Sequence, residues 1–323
     1  MALVRRAIDE LGSSMFSVEQ PSATTARPSS IRRRAWRGVR VPFWFVLPAL
    51  AVYAFVVLAP SGQGVLYAFS DWNGISATFD LVGLRNFVTV FTDPLALAAL
   101  GNTLVLAAVI MLLQNLFGLL LALALNTRVR SGAALRVVFF APVVLTPLVS
   151  GYIWSYLLAP DGGVNEVLRT VGLSALAQDW LGDPRFALGA VCVAILWQFS
   201  GYSMVIYLAG LKALPADLLE AGVVDGAGPF RRFFSIVLPL INGSVVINLL
   251  LTLIGGLGQF DQVFAMTQGG PGNATQTIST VIYKNGFQLG DYPYATALAL
   301  VMAVVVGVLA FVQYRLTARQ VER

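Results

Sequence analysis

The sequence has no histidine, a single cysteine, only two lysines, and 11% charged residues over 323 positions. With no histidine and Cys192 alone, neither a disulfide framework nor a Cys/His metal site can be assembled within one chain. No Gly-x-x-x-x-Gly-Lys-[Ser/Thr] phosphate loop exists either, because Lys212 and Lys284 follow Leu211 and Tyr283. No catalytic residue, metal or cofactor is therefore expected. Charge this sparse, against roughly 25% in a soluble domain, combines with 57% hydrophobic residues and a mean hydropathy of +0.77. An ordinary water-soluble domain is excluded.

What is present is a series of six apolar runs, at residues 43–59, 103–125, 137–159, 186–211, 240–257 and 294–312. Each approaches the ~20 helical residues that span roughly 30 Å of hydrocarbon. The expected fold is all-α, a polytopic membrane protein with six transmembrane helices. The first run reads as a retained span, since 42 residues precede it and the chain continues as the still apolar "APSGQGVLYAF". None of the six runs contains Asp or Glu. That argues against a proton- or sodium-driven carrier, which places carboxylates near the bilayer midplane.

Basic residues set the expected orientation. Seventeen of the 21 Lys and Arg lie before run one, between runs two and three, between runs four and five, or after run six. The other loops hold only Arg85, Arg169, Arg185 and Lys284. By the positive-inside rule both termini are cytoplasmic, so the net charge of +5 is a topology signal and no nucleic acid is expected as a partner. Residues 1–40, rich in Ser, Arg, Thr and Pro, read as a disordered cytoplasmic tail; 41–316 carry the spans; 317–323 form a second tail. The "RRRAWRGVR" cluster reads as a stop-transfer signal, with lipid headgroups or a partner as the other candidates.

One cytoplasmic connection, residues 212–240, is longer than a bare linker needs. Its "LEAGVVDGAGPFRRFFSIVLPL" carries two acids, two arginines, three glycines and two prolines. Pro215 and Asp217 suit a first helical turn. A short helix should run to about Val224, Gly226 and Gly228 permit a tight turn, and Phe230, Phe233, Phe234 and Val237 follow at i, i+3, i+4 and i+7 on one apolar face. Pro239 marks the start of the next span. The result is a helix-turn-helix that either lies on the headgroups or docks a cytoplasmic partner.

"EAGVVDGAGPFRRFFSIVLPL" resembles the EAA loop of permease subunits of binding-protein-dependent ABC importers. Glu220, Ala221, Asp225, Gly226, Ala227, Ile236, Leu238 and Pro239 match its pattern, and Gly222 replaces the third residue of the triplet. "GLKALPADLLEA", "FDQVFAMTQGGPGNATQT" and "YATALAL" look like the sugar-importing branch, which includes the large maltose permease subunit and the glycerol-phosphate permease. The resemblance implies a bacterial or archaeal inner membrane, a second permease subunit, two copies of an ABC ATPase, an extracytoplasmic binding protein and a sugar substrate. It also implies that Glu220, Ala221, Gly222, Asp225, Gly226, Ala227, Phe230 and Phe233 form the ATPase-coupling element. A polar solute such as glycerol phosphate is the alternative cargo, and a secondary transporter the more distant one.

A neutral sugar calls for aromatic faces and for amides or hydroxyls. Run four offers Trp197, Gln198 and Tyr202, run five offers Asn248 and Thr252, and Gln259 lies just beyond it. Trp197 and Tyr202 fall at the positions that the resemblance assigns to the aromatic wall of the sugar site, and Thr252 and Gln259 at polar ones. Gly255 and Gly256 stand where that site has an aromatic and an amide. Trp197 also suits packing, and Gln198 and Asn248 suit interhelical hydrogen bonds worth roughly 0.6 to 2 kcal/mol. The "QGGPGNATQT" loop is expected to contact the binding protein or to serve as a turn-rich connector.

The orientation is checked by cysteine labelling in a Cys192-free background. Cysteines at positions 130 and 230 should react only from the cytoplasm, and at positions 165 and 285 only from outside; the opposite pattern overturns the topology.

Overall fold

The computed structural model describes residues 43–127 and 131–318. The expected tail at 1–40 and position 130 lie outside the described residues, as do 319–323. The chain divides into two compact units, Met1–Tyr53 and Ala54–Arg323. Of the first, the structure describes a 3₁₀ turn at Phe43–Phe45 and α1 (Leu47–Tyr53), none of whose residues is buried. The second opens on a π-helical turn at Ala54–Leu58 and α2 (Ala59–Ala68). It continues through α3 (Arg85–Thr92), α4 (Pro94–Leu125), α5 (Gly132–Phe140), α6 (Pro147–Leu157), α7 (Gly163–Thr170) and α8 (Pro184–Lys212). Then come α9 (Ala216–Val224), α10 (Pro229–Arg232), α11 (Leu238–Leu240), α12 (Asn242–Leu257), α13 (Asp261–Thr267), α14 (Ile278–Tyr283) and α15 (Tyr292–Ala318). Among the described residues no strand forms; Ser70 and Leu81 share one isolated bridge.

Four helical stretches are long and apolar enough to cross a bilayer, Leu47–Ala68, Pro94–Leu125, Pro184–Lys212 and Tyr292–Thr317, and six do if each of two bent pairs counts as one span. The two longest helices start on the same local signal. Asp93 accepts a hydrogen bond from Leu95 N (2.8 Å) ahead of Pro94, and Asp183 accepts one from Arg185 N (2.9 Å) ahead of Pro184. An acidic cap satisfies an orphan N–H, and proline at the first position has none to satisfy. α4 therefore begins at Pro94, well before the apolar run at 103.

Run three is not one straight helix. α5 continues through a 3₁₀ turn at Ala141–Val144, Leu145 and Thr146 are extended, and α6 leaves at 98°. Pro147 is the cause, because its ring forces the residue before it out of the α region, and Thr146 caps the new helix through Val149 N. Run five is also preceded by a bend, of 72° between Pro229–Leu240 and Asn242–Leu257. Pro239 lies inside the first of these helices, and the break falls at Ile241. The next span starts at Asn242.

α4 is the common wall. Its Ala99 and Ala107 pack with Leu257 and Leu298, its Leu106 and Ile110 with Val191 and Ile195, and its Ala122 and Leu125 with Met204 and Ile241. Small residues let the helices approach, as expected where lipid offers no hydrophobic drive to associate. A Cβ on Gly118 would lie 2.5 Å from Ser203 Cβ, and one on Gly256 would lie 2.8 Å from Ala107 Cα. Between α4, α8 and α12 runs a buried polar chain. Tyr207 donates to Asn115 Oδ1 (2.6 Å), Asn115 to Thr252 Oγ1 (2.8 Å), Gln114 to Ser203 Oγ (2.9 Å), and Ser203 to Asn248 Oδ1 (3.2 Å).

Within α7, Asn165 is buried and ties the helix to the loop that follows, donating to Gln178 O (2.8 Å) and accepting from Trp180 Nε1 (2.8 Å). A cysteine at 165 would be both hidden and disruptive. The neighbouring exposed Glu166 is the better labelling position.

Two glycines of one helix separate packing from propensity. Gly101 has no neighbour within 4 Å of an added Cβ, so Gly101→Ala should leave the thermal midpoint of the detergent-purified protein unchanged or raised, by up to ~1 kcal/mol of helix propensity. Gly118→Ala should instead destabilise by about 1 to 3 kcal/mol, because α4 and α8 must part. Equal midpoints for the two variants would show that the crossing tolerates the added bulk.

Candidate functional site

Two places hold most of the residues singled out in the sequence. The first is the corner at 216–240. Pro215 stands at the N-cap of α9, one position before the first helical residue, and Asp217 lies in the first turn. The helix ends at Val224 with Asp225 as cap, and Gly226 adopts φ +73°. Gly226 N donates to Val223 O (3.0 Å) and Ala227 N to Gly222 O (3.0 Å), the paired bonds of a Schellman ending. No atom lies within 4 Å of a Cβ built on Gly226. The demand for glycine there is thus a matter of backbone angle, not of crowding. Crowding occurs instead at buried Gly222, where a Cβ would come within 2.6 Å of Ile236 Cδ1.

After the turn, α10 runs through a π-helical turn at Phe233–Val237 into α11. The wider turn breaks the i, i+3, i+4, i+7 register, so the four apolar side chains do not share one buried face. Phe233 and Val237 are half-buried, whereas Phe230 is 81% and Phe234 60% exposed. Val224, on the facing helix, is 86% exposed. Glu220, Ala221 and Asp225 are exposed, and Glu220 and Arg232 line a cavity of about 620 Å³ with Leu211, Leu214 and Val223.

The second place is a cavity of about 440 Å³ whose polar lining residues are Gln114, Tyr202, Thr252, Gln259, Asp261 and Gln262. α4, α8 and α12 supply Gln114, Tyr202 and Thr252, the segment joining α12 to α13 supplies Gln259, and the first turn of α13 supplies Asp261 and Gln262. Phe199 and Phe260 add aromatic surface. Gly255 and Gly256 both line it: Gly256 is packed against Ala107, while Gly255 has nothing within 4 Å of an added Cβ and leaves space.

Of the six sequence candidates, Tyr202, Thr252 and Gln259 meet in this cavity, and the other three lie elsewhere. Trp197 is 42% exposed and sets its ring edge-on to Trp154, 5.7 Å between centroids. Gln198 is fully buried, donating to Leu145 O (2.8 Å) and accepting from Gln262 Nε2 (2.8 Å). Asn248 is fully buried in the polar chain, and its Nδ2 has no partner among the described residues. Gln114 and Gln262 were missed, although a Gln-Asn pair inside "IMLLQNLFG" is a visible interruption of an apolar run. The "QGGPGNATQT" loop folds on itself, with Thr275 bonded to Gly270 O (2.7 Å) and Asn102 of α4 donating to Ala274 O and Gln276 O; Gln268, Gly272 and Asn273 remain exposed.

Four to six candidate spans thus carry a structured corner between two of them. Residues 114–323 match the family described as the binding-protein-dependent transport system inner membrane component. The chain is 31% identical over 286 residues to the multiple sugar-binding transport system permease protein MsmF of Streptococcus mutans, covering 88% of this chain and 98% of that one. It is 35% identical over 315 residues to the diacetylchitobiose uptake system permease protein NgcF of Streptomyces coelicolor, covering 92% and 88%. Among solved structures it is similar to a chain of a bacterial ABC transporter involved in the import of the acidic polysaccharide alginate, with a TM-score of 0.75, 25% identity, and coverage of 86% and 94%. The chain belongs to the family of binding-protein-dependent inner membrane components: it is a multi-pass permease subunit of an ABC importer.

The two aromatic candidates are separable. Tyr202→Ala should raise the apparent KM for uptake roughly tenfold or more at unchanged expression, as loss of a stacking or hydrogen-bonding wall does. Trp197→Ala should alter expression or thermal stability and leave KM in place. The reverse pattern would move the site to the Trp154–Trp197 pair.

Proposed function

We propose that the chain encloses, with a second permease subunit, the pathway of a sugar or sugar-like solute. An extracytoplasmic binding protein delivers the solute, and two copies of a separate ABC ATPase drive its passage. In this reading the chain itself performs no chemistry, and both termini face the cytoplasm. The observation that carries it is the position of the corner. α9 continues from α8 through Ala213–Pro215, and the helix Pro229–Leu240 leads through the bend at Ile241 into α12. α8 and α12 are also the helices that bring Tyr202 and Thr252 to the cavity. A displacement of α9 and α10 therefore acts on both walls of the cavity at once, with no loose linker to absorb it.

The docking partner is supported by what the corner exposes. Val224, Phe230 and Phe234 form apolar surface beside Glu220, Asp225 and Arg231, a mixture suited to a cleft in another protein. Glu220, Ala221, Gly222, Asp225, Gly226, Ala227, Phe230 and Phe233 are then the coupling element, and Tyr202, Thr252 and Gln259 the pathway residues. A secondary carrier would draw on Asp261, the one carboxylate among the described lining residues of the cavity; uptake that survives ATP depletion would favour it.

Gly226→Val and Glu220→Lys test the coupling. The first places a β-branched residue at φ +73°, at a cost of about 1 to 2 kcal/mol, while Gly226→Asn tolerates that angle. The chain should remain in the membrane in all three variants. Substrate-stimulated ATP hydrolysis, or ATPase co-purification, should fall severalfold in Gly226→Val and Glu220→Lys and much less in Gly226→Asn. Full stimulation in all three variants would show that the corner merely lies on the membrane surface.

A further inference from the structure

The cavity has a hydrogen-bond polarity that its residue types alone do not reveal. A carbonyl oxygen only accepts, so the Leu145 carbonyl, at the break between α5 and α6, fixes Gln198 with its Nε2 toward it (2.8 Å). Gln198 Oε1 is thereby turned to Gln262, which must donate from Nε2 (2.8 Å). Gln262 Oε1 is then turned to Gln259, which must donate in its turn. Three amides are aligned head to tail from one carbonyl, and the Oε1 of Gln259 is left over at the cavity end. Gln114 is fixed in the same sense, since its Nε2 donates to Phe199 O (3.2 Å) and Ser203 Oγ (2.9 Å), leaving Oε1 without a partner among the described residues. Thr252 Oγ1 is spent on Asn248 O (2.8 Å) and Asn115 Nδ2 (2.8 Å).

What remains of the side chains on the polar wall is richer in acceptors: Gln114 Oε1, Gln259 Oε1 and both oxygens of the Asp261 carboxylate. The side-chain donors left among the described lining residues are the Tyr202 hydroxyl and one N–H each of Gln259 and Gln262, and no Lys or Arg is among those residues. A hydroxyl-rich neutral sugar, or one bearing an ammonium, brings the missing donors. A uronate or phosphate brings acceptors and negative charge toward a carboxylate, with no cation to meet it.

We propose that this chain's cavity selects neutral or amino sugars against acidic ones, through the amide relay Gln198–Gln262–Gln259 and the Asp261 carboxylate. The selectivity rests on the importer reading but is tested apart from it. The full-length chain in lipid nanodiscs is titrated with maltotriose, with chitosan trimer and with trigalacturonate, each followed by saturation-transfer NMR. Maltotriose and the chitosan trimer should bind roughly tenfold or more tightly than trigalacturonate. Asp261→Asn should narrow that ratio several-fold, and Gln259→Leu, which removes the terminal acceptor, should weaken maltotriose binding. Because the readout is a ratio on one preparation, a misfolded variant, which loses all three ligands, is distinguishable. Trigalacturonate binding as tight as maltotriose, binding of none of the three to the wild-type chain, or an unchanged ratio in Asp261→Asn overturns the proposal. Failure of an ATPase to co-purify counts against the importer reading instead.

Discussion

A polar group at bilayer depth finds no water, so its partner must come from the protein itself, and the arrangement of α4, α8 and α12 follows from that requirement. Asn115 is the clearest case. It accepts from Tyr207, donates to Thr252, and donates to the Met111 carbonyl one turn back (2.6 Å), so moving any one of three helices breaks a bond that nothing else can replace. Apolar contacts among α4, Ala194 and Leu257 are interchangeable with contacts to lipid. The amide and hydroxyl contacts are not, and they fix the register of the bundle. Glycines at 118 and 256 serve this end by letting the helices come close enough for short polar side chains to meet.

The same requirement explains why the breaks in the helices are useful. A chain that stops being helical at Leu145 frees a carbonyl inside the protein, and Gln198 takes it up. The bend at Ile241 works differently, turning a helix that begins outside the apolar zone into one that lines the cavity. Both breaks lie in tracts that contain proline, and both are closed by local hydrogen bonds: Leu145 N to Pro142 O (3.2 Å) and Ile241 N to Val237 O (3.0 Å). Rigid segments joined at two defined angles are a means of carrying motion from one face of a membrane toward the other.

Much of this was legible in the sequence, and the exceptions have physical causes. Apolar runs of about 20 residues located α4, α8, α12 and α15, because the bilayer rewards such runs whatever their packing. The corner was legible because Gly226, Pro229 and the charges around them contradict the flanking hydrophobicity. Hydropathy is an average, however, and it hid both the early start of α4 at the Asp93–Pro94 cap and the break before Pro147, where the local signals were present in the letters. The membership of the cavity was less accessible. Trp197 and Tyr202 are five residues apart on one helix, about 140° around its axis, so they lie on different faces; the neighbours of α8 determine that one meets Trp154 and the other the cavity. Gln198 and Gln262 are 64 positions apart, and no local pattern joins them.

The exposed apolar side chains of the corner have a consequence for the chain on its own. Glu220, Asp225, Arg231 and Arg232 stand among Val224, Phe230 and Phe234, and charges of this kind are costly in hydrocarbon, so these apolar side chains are not buried in the bilayer core as the exposed side chains of a span are. Left uncovered, these three side chains put a large apolar patch in contact with water, which is the kind of surface that associates non-specifically.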